Sequence, residues 1–125
     1  MKKATIFLFL FVLFLAACGG SNAGRGDPAQ TVEKYLQAKV DGDADTIRSL
    51  LCADMEQFLE RESRAFDSVQ DVRIEGMSCE DAGNGRVTCT GAIKALYGAE
   101  ETEFPLTNYK VVQEDGEWKW CGETQ

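Results

Sequence analysis

The stretch Tyr109-Lys110-Val111-Val112-Gln113-Glu114-Asp115-Gly116-Glu117-Trp118-Lys119-Trp120 decides the fold of this chain. Asp-Gly is a strong signal for a two-residue turn between antiparallel strands, because these residues readily adopt the backbone angles that the turn requires. Trp118 and Trp120 are separated by Lys119, which places both rings on one face of the final strand. We therefore expect a hairpin that ends the domain, with its last strand over Glu117–Cys121.

Three more strands are predicted before that turn. They span 69–79, 86–97 and 102–113, and Pro105 marks an edge or an irregular stretch in the third. In the first, Val72 and Ile74 share one parity whereas Met77 and Cys79 share the other. A β-bulge at the intervening Gly76 would bring all four side chains to one side.

Three helices precede the strands. Asp27-Pro28 is a favourable helix start, and apolar residues at helical spacing follow to about Val40. Gly42 then ends this helix and Asp43 caps the next, which carries Ile47, Leu50 and Leu51. Asp54 and Gln57 resemble a capping box for a third helix that buries Met55, Phe58, Leu59 and Phe66.

The order of helices and strands predicts the fold class. Three N-terminal helices packed on a curved four-stranded antiparallel sheet make an α+β domain over residues 28–125, of the cystatin-like or cone type. The acidic turn at 41–45 begins like a calcium loop. Thr46 and Cys52 occupy the positions where such a loop needs Gly and Glu, so no metal site is expected.

The N-terminus predicts export and lipidation. Met1-Lys2-Lys3 and the apolar run to Leu15 form a short secretory signal, too short to span a bilayer comfortably. Leu15-Ala16-Ala17-Cys18 resembles the lipobox of bacterial lipoproteins. This resemblance implies cleavage after residue 17, a diacylglycerol on the Cys18 sulfur, and a flexible, Gly-rich tether over residues 18–27. An ordinary signal peptide and an uncleaved membrane helix are the alternatives.

Charge and composition narrow the function classes. Cleavage removes Lys2 and Lys3, which changes the net charge from −8 to −10. Such acidity disfavours nucleic acid as a partner. The sequence contains no histidine, which excludes Ser-His-Asp and Cys-His catalysis and His-based zinc sites.

The four remaining cysteines are expected to form two disulfides, since an even number in an exported domain favours pairing. Cys79 and Cys89 flank a predicted turn symmetrically and should face each other. Cys52 would then pair with Cys121. Because Cys121 has the opposite parity to both tryptophans, this pairing requires the last strand to end or twist there.

Residues 32–51 and 109–120 together resemble the nuclear-transport-factor-2-like (NTF2-like) superfamily, which includes ketosteroid isomerase, SnoaL-like proteins and many small bacterial lipoproteins. The resemblance implies a cone-shaped fold and, as in relatives, a homodimer through the open sheet face. The enzymes of the superfamily use an Asp base with a Tyr donor or a His-Asp pair. Neither set can be placed on this sequence, so we assign no catalytic residue and no cofactor.

The sequence leaves a binding or scaffold domain and an enzyme as competing hypotheses. We expect a non-enzymatic domain that takes a small molecule or an envelope protein as partner. Its interior could be lined by Tyr35, Phe58, Phe66, Tyr109, Trp118 and Trp120, although we favour simple core packing as the explanation for these aromatics. The alternative is a hydrolase or isomerase that uses a carboxylate such as Glu62 or Glu103, both of which are expected on the solvated surface.

Replacing Cys18 with Ala should abolish lipidation, because the thiol is the only acceptor that the lipobox offers. Metabolic labelling with palmitate should give a labelled wild-type chain and an unlabelled variant that is uncleaved or soluble. Unchanged labelling of the variant would refute the lipoprotein assignment.

Overall fold

The computed structural model describes residues 26–125, so the predicted signal peptide, Cys18 and most of the tether lie outside it. The domain is α+β, with the helices first in sequence and an antiparallel sheet after them. The elements are α1 (Pro28–Asp41), α2 (Ala44–Leu50), a 3₁₀ helix (Ala53–Phe58), α3 (Leu59–Ser63), β1 (Gln70–Gly83), β2 (Arg86–Tyr97), β3 (Glu100–Pro105), β4 (Asn108–Glu114) and β5 (Glu117–Thr124). No helix within these residues is long and apolar enough to cross a membrane.

The first two helices begin as predicted, and the first also ends as predicted. The Asp27 carboxylate accepts a hydrogen bond from the Ala29 amide at 2.7 Å, and Pro28 occupies the first turn of α1. Gly42 ends α1 in the left-handed conformation with φ 68°, which glycine adopts without steric cost. Asp43 then caps α2 through the Thr46 amide. The inward face of α1 supplies much of the core through Val32, Tyr35 and Leu36.

The predicted capping box at Asp54 is wrong. The segment starts two residues earlier than predicted, at Ala53, as a 3₁₀ helix with Cys52 at its N-cap and no capping bond from the Cys52 side chain. The Glu114 carboxylate of β4 instead accepts from the Ala53 amide at 3.1 Å. A partner 61 residues away in sequence therefore replaces the local cap, and no local pattern could reveal it.

The sheet has five strands, which corrects the expected four. Its order is β1-β2-β4-β5, with β3 also paired to β2. The predicted strand over 102–113 is divided after Pro105, which cannot donate to the ladder. The two parts pair with opposite ends of β2, β3 with Ala92–Tyr97 and β4 with Arg86–Thr88. Their registers differ by one residue, so β2 bulges near Gly91 between them.

The predicted bulge in β1 is confirmed. The register against β2 shifts between Glu75 and Ser78, and Gly76 has φ 66°. As a result, the side chains on both sides of the bulge pack against one core, namely Val72, Ile74, Met77 and Cys79. Gly76 faces Gly91 across the ladder, so the two bulges bend the sheet at the same place.

The structure joins Cys79 to Cys89 and Cys52 to Cys121, the pairing expected from the sequence. The last strand does not end at Cys121, however, but continues to Thr124. Tyr109 pairs with Glu123 and Val111 with Trp120, so Cys121 and Gly122 together lie opposite Lys110 as a bulge. This extra residue frees Cys121 from the alternation of the tryptophans and allows it to reach Cys52.

Gly91→Ala should destabilise the domain strongly, because a Cβ at this position would lie 2.6 Å from the backbone of Glu75 and Gly76. Gly98→Ala is the matched control, since Gly98 also has positive φ but has open space around it. We expect a loss of about 3 kcal/mol in unfolding free energy for Gly91→Ala and about 1 kcal/mol for Gly98→Ala. Equal losses in urea denaturation would show that the close strand approach is not required.

Candidate functional site

The candidate site is a cavity of about 240 Å³ between α1, the segment after α3 and the inner face of the sheet. Every strand except β1 contributes to it. Its lining consists of Leu36, Lys39, Ala65, Phe66, Ile93, Tyr97, Phe104, Pro105, Leu106, Tyr109, Trp120 and Glu123. A space of this size suits a molecule smaller than a typical drug.

Three of the six predicted lining residues lie in this wall, namely Phe66, Tyr109 and Trp120. Tyr35 is fully buried one layer behind, where its ring stacks on Trp120 with centroids 3.9 Å apart. Phe58 lies outside the lining and packs under the Arg61 guanidinium. Trp118 lines a separate groove beside Lys34 and Lys119.

Aromatic rings form the mouth of the cavity. Phe104 contacts Phe66 on one side and Tyr97 on the other, both edge-to-face at 6.2 Å between centroids. Tyr97 and Phe104 are also the large apolar side chains that the described domain leaves most open to solvent, with 45% and 39% exposure. Neither residue was predicted to line the interior, although Tyr97 has the parity of the inner face of β2.

The inner wall contains a hydrogen-bond donor with no partner in the described domain. Trp120 is 3% exposed, and its Nε1 is completely buried without a hydrogen bond. Leaving such a group unpaired costs about 1–3 kcal/mol. Because Nε1 has almost no accessible surface, it does not face the open space of the cavity.

Glu62 is buried, which contradicts the expected solvated position. Its carboxylate accepts hydrogen bonds from the Tyr35 hydroxyl at 2.5 Å, from Lys39 Nζ at 2.9 Å and from Arg61 at 3.0 Å. Only 6% of its side chain is exposed. The three donors come from α1 and α3, so this carboxylate ties the two helices together behind the cavity. Glu103, the other carboxylate considered, lies exposed on β3.

The surroundings of Glu62 favour its ionised form. Burial alone raises the pKa of the carboxyl, but the hydrogen bonds from Tyr35, Lys39 and Arg61 outweigh it and lower the pKa below its usual value. Burial and the neighbouring carboxylate raise the pKa of Tyr35, so the phenol keeps its proton. A carboxylate with a lowered pKa and three donors is a poor general base near neutral pH.

Two charged residues line the cavity itself. Lys39 forms the ion pair with Glu62 and is thereby compensated. Glu123 enters no ion pair within the described residues and pairs directly with Tyr109 across the ladder. The bulge at 121–122 puts Glu123 on the same face as Trp120. Strict alternation along the strand would have placed it on the opposite face, which is why the sequence analysis missed it.

The outer face of the sheet is charged near β3. Arg73 bonds Glu75 and Glu101 at 2.9 and 2.7 Å, and Lys94 bonds Glu75 at 2.9 Å. These exposed pairs contribute little stability individually. They cover the surface where a sheet-mediated homodimer was expected, and they give it a polar rather than an apolar character.

No family model matches the chain, and no curated protein matches it. Several solved structures, however, are similar to the described domain. A five-substitution NTF2 variant is 16% identical with a TM-score of 0.53, covering 78% of this chain and 98% of the other. A SEC-C motif protein from Rhodopseudomonas palustris is 13% identical with a TM-score of 0.55, covering 82% and 85%. An NTF2-like protein of unknown function in nutrient uptake from Rhodospirillum rubrum is 18% identical with a TM-score of 0.50, covering 78% and 96%. The described domain thus has an NTF2-like fold.

Glu62→Gln should destabilise the domain by about 2 kcal/mol at pH 7, because it removes a buried acceptor for charged donors. Glu60→Gln is the control on the same helix, where the exposed pair with Arg64 contributes little to stability. The pKa of Glu62 is lower in the folded state than in the unfolded state. Its contribution to the free energy of unfolding is therefore complete above the unfolded-state pKa and is lost as the pH falls through the folded-state pKa. The gap between the variants in urea denaturation should therefore shrink on acidification, whereas a pH-independent gap would contradict the ionised assignment.

Proposed function

We propose that this chain is a bacterial lipoprotein, held at a membrane through Cys18 and facing outside the cytoplasm, whose domain binds a small molecule without catalysis. The observation that carries the binding role is the cavity itself, whose open mouth and inner wall are formed largely by aromatic side chains. A small molecule with an apolar body fits this lining.

The anchoring part of the proposal rests on the sequence at residues 15–18 and agrees with the cysteines. Two disulfides suit an oxidising compartment outside the cytoplasm. From Cys18 to Gly26 the chain spans eight residues, so it reaches at most about 30 Å when fully extended. The lipid would thus hold the binding domain close to the membrane surface.

The alternative is a hydrolase or isomerase of the ketosteroid-isomerase-like type with a buried carboxylate. Glu62 is the one buried carboxylate in the described domain, and Tyr35 donates to it. Glu62 is not part of the cavity lining, however, and its acceptor sites are occupied by Tyr35, Lys39 and Arg61. These contacts favour a structural role and therefore support the non-enzymatic proposal.

The binding role can be tested with benzyl alcohol, which has an aromatic body and a hydroxyl acceptor. Trp118→Phe leaves Trp120 as the fluorescent reporter in the cavity wall, and Trp120→Phe leaves only Trp118, which is outside the cavity lining. Titration of the full-length chain in detergent should change the fluorescence of the Trp118→Phe variant in a saturable way. It should leave the Trp120→Phe variant unchanged.

A second pair of variants locates the bound molecule. Ala65 is exposed and lines the cavity, so Ala65→Leu should narrow the space and weaken binding at least tenfold. Ala99→Leu, on the exposed turn between β2 and β3, adds the same volume outside the cavity and should have no effect. Binding that both variants retain would place the molecule elsewhere and contradict the proposal.

A further inference from the structure

We propose that the cavity selects a small organic cation, such as a quaternary ammonium compound that also carries a hydroxyl group. This inference rests on the proposed binding function and specifies the chemical class of its ligand. It is based on the aromatic rings that share the cavity with one uncompensated carboxylate, Glu123.

The first argument is the density of aromatic rings. Five of the residues that line the cavity are aromatic: Phe66, Tyr97, Phe104, Tyr109 and Trp120. The edge-to-face contacts of Phe104 mean that neighbouring rings are turned by about 60° to one another, so they form a concave rim rather than a flat stack. Aromatic faces carry negative potential, and several rings around one space are the usual way to bind a quaternary ammonium group.

The second argument is the position of Glu123. It stands directly opposite Tyr109 in the β4–β5 ladder, and side chains of such a pair lie on the same face about 5 Å apart. Glu123 also belongs to the cavity lining, together with Tyr109 and Trp120. A cation held by the rings would therefore meet a carboxylate with no competing ion pair within the described residues.

The only cation in the lining does not offset this preference. Lys39 donates to the Glu62 carboxylate at 2.9 Å, and this carboxylate is almost fully buried. Glu123, in contrast, is exposed and open to a ligand. The lysine charge is thus compensated inside the domain. The second cation on Glu62, Arg61, has 62% of its side chain exposed and lies over Phe58, outside the lining. The acidic mature chain would further attract cations from solution.

Three molecules of nearly equal shape separate charge from size. Choline carries the cation, 3,3-dimethylbutan-1-ol is its neutral isostere, and 3,3-dimethylbutanoate is an anionic counterpart. Each is titrated into the full-length Trp118→Phe chain in detergent at constant ionic strength, with Trp120 as reporter. We expect choline to bind about tenfold more tightly than the alcohol, and the anion to bind most weakly.

A variant pair then tests the role of Glu123. Glu123→Gln should weaken choline binding about fivefold and leave the alcohol within twofold. Glu117→Gln removes the same charge from the same strand outside the cavity, and it should leave both affinities unchanged.

The outcomes separate this inference from the function on which it rests. If the alcohol binds as tightly as choline and Ala65→Leu weakens it, the cavity binds small molecules but the cation preference is wrong. Tighter binding of the anion would assign the site to Lys39 and also overturn the inference. Absence of choline binding overturns it as well, whatever the result with benzyl alcohol.

Discussion

The stack of Trp120 on Tyr35 is the contact on which the rest of the domain depends. It joins the last strand to the first helix, with both rings almost completely buried. The Trp120 carbonyl accepts from the Cys52 amide at 2.9 Å, and the adjacent Cys121 is bonded to Cys52. The same tryptophan forms the inner wall of the cavity. Anything that shifts this ring changes the core, the position of the 3₁₀ helix and the site together.

The position of Tyr35 is in turn fixed by Glu62. A buried carboxylate is unfavourable unless its charge is compensated and its oxygens are bonded, and Glu62 meets both conditions through Tyr35, Lys39 and Arg61. The resulting network fixes the Tyr35 hydroxyl while its ring stacks on Trp120. The carboxylate thereby has a structural function, and the chemistry available to a ligand is left to the aromatic rings and Glu123.

Local signals in the sequence were sufficient for part of this fold. The Asp27 cap, the left-handed Gly42 and the bulge at Gly76 each follow from one residue and its neighbours. The disulfide pairing followed from the symmetry of Cys79 and Cys89 about a turn. In these cases the decisive interaction lies within a few residues, or within one hairpin.

The remaining features depend on contacts that are distant in sequence. The Glu114 cap reaches across 61 residues, and the burial of Glu62 requires α1 to lie beside α3. The inward position of Glu123 depends on a one-residue register shift between β4 and β5, which reverses the parity of the strand end. The sequence marks Pro105 as irregular but not as the end of a strand. The reason is that β4, which follows it, pairs with β2 just as β3 does. The sequence therefore predicted only three of the side chains that line the cavity, namely Phe66, Tyr109 and Trp120.

Glu62 acts as an ionised structural anion beside the proposed binding cavity. The most direct test of this role is carbon-detected NMR of the glutamate carboxyl groups of the full-length chain, titrated from pH 7 to pH 2, with Glu62→Gln used to assign the resonance. We expect the Glu62 carboxyl to titrate below the ordinary glutamate pKa of about 4.3. A Glu62 pKa above about 6 would contradict it and would identify this carboxyl as a candidate general acid or base.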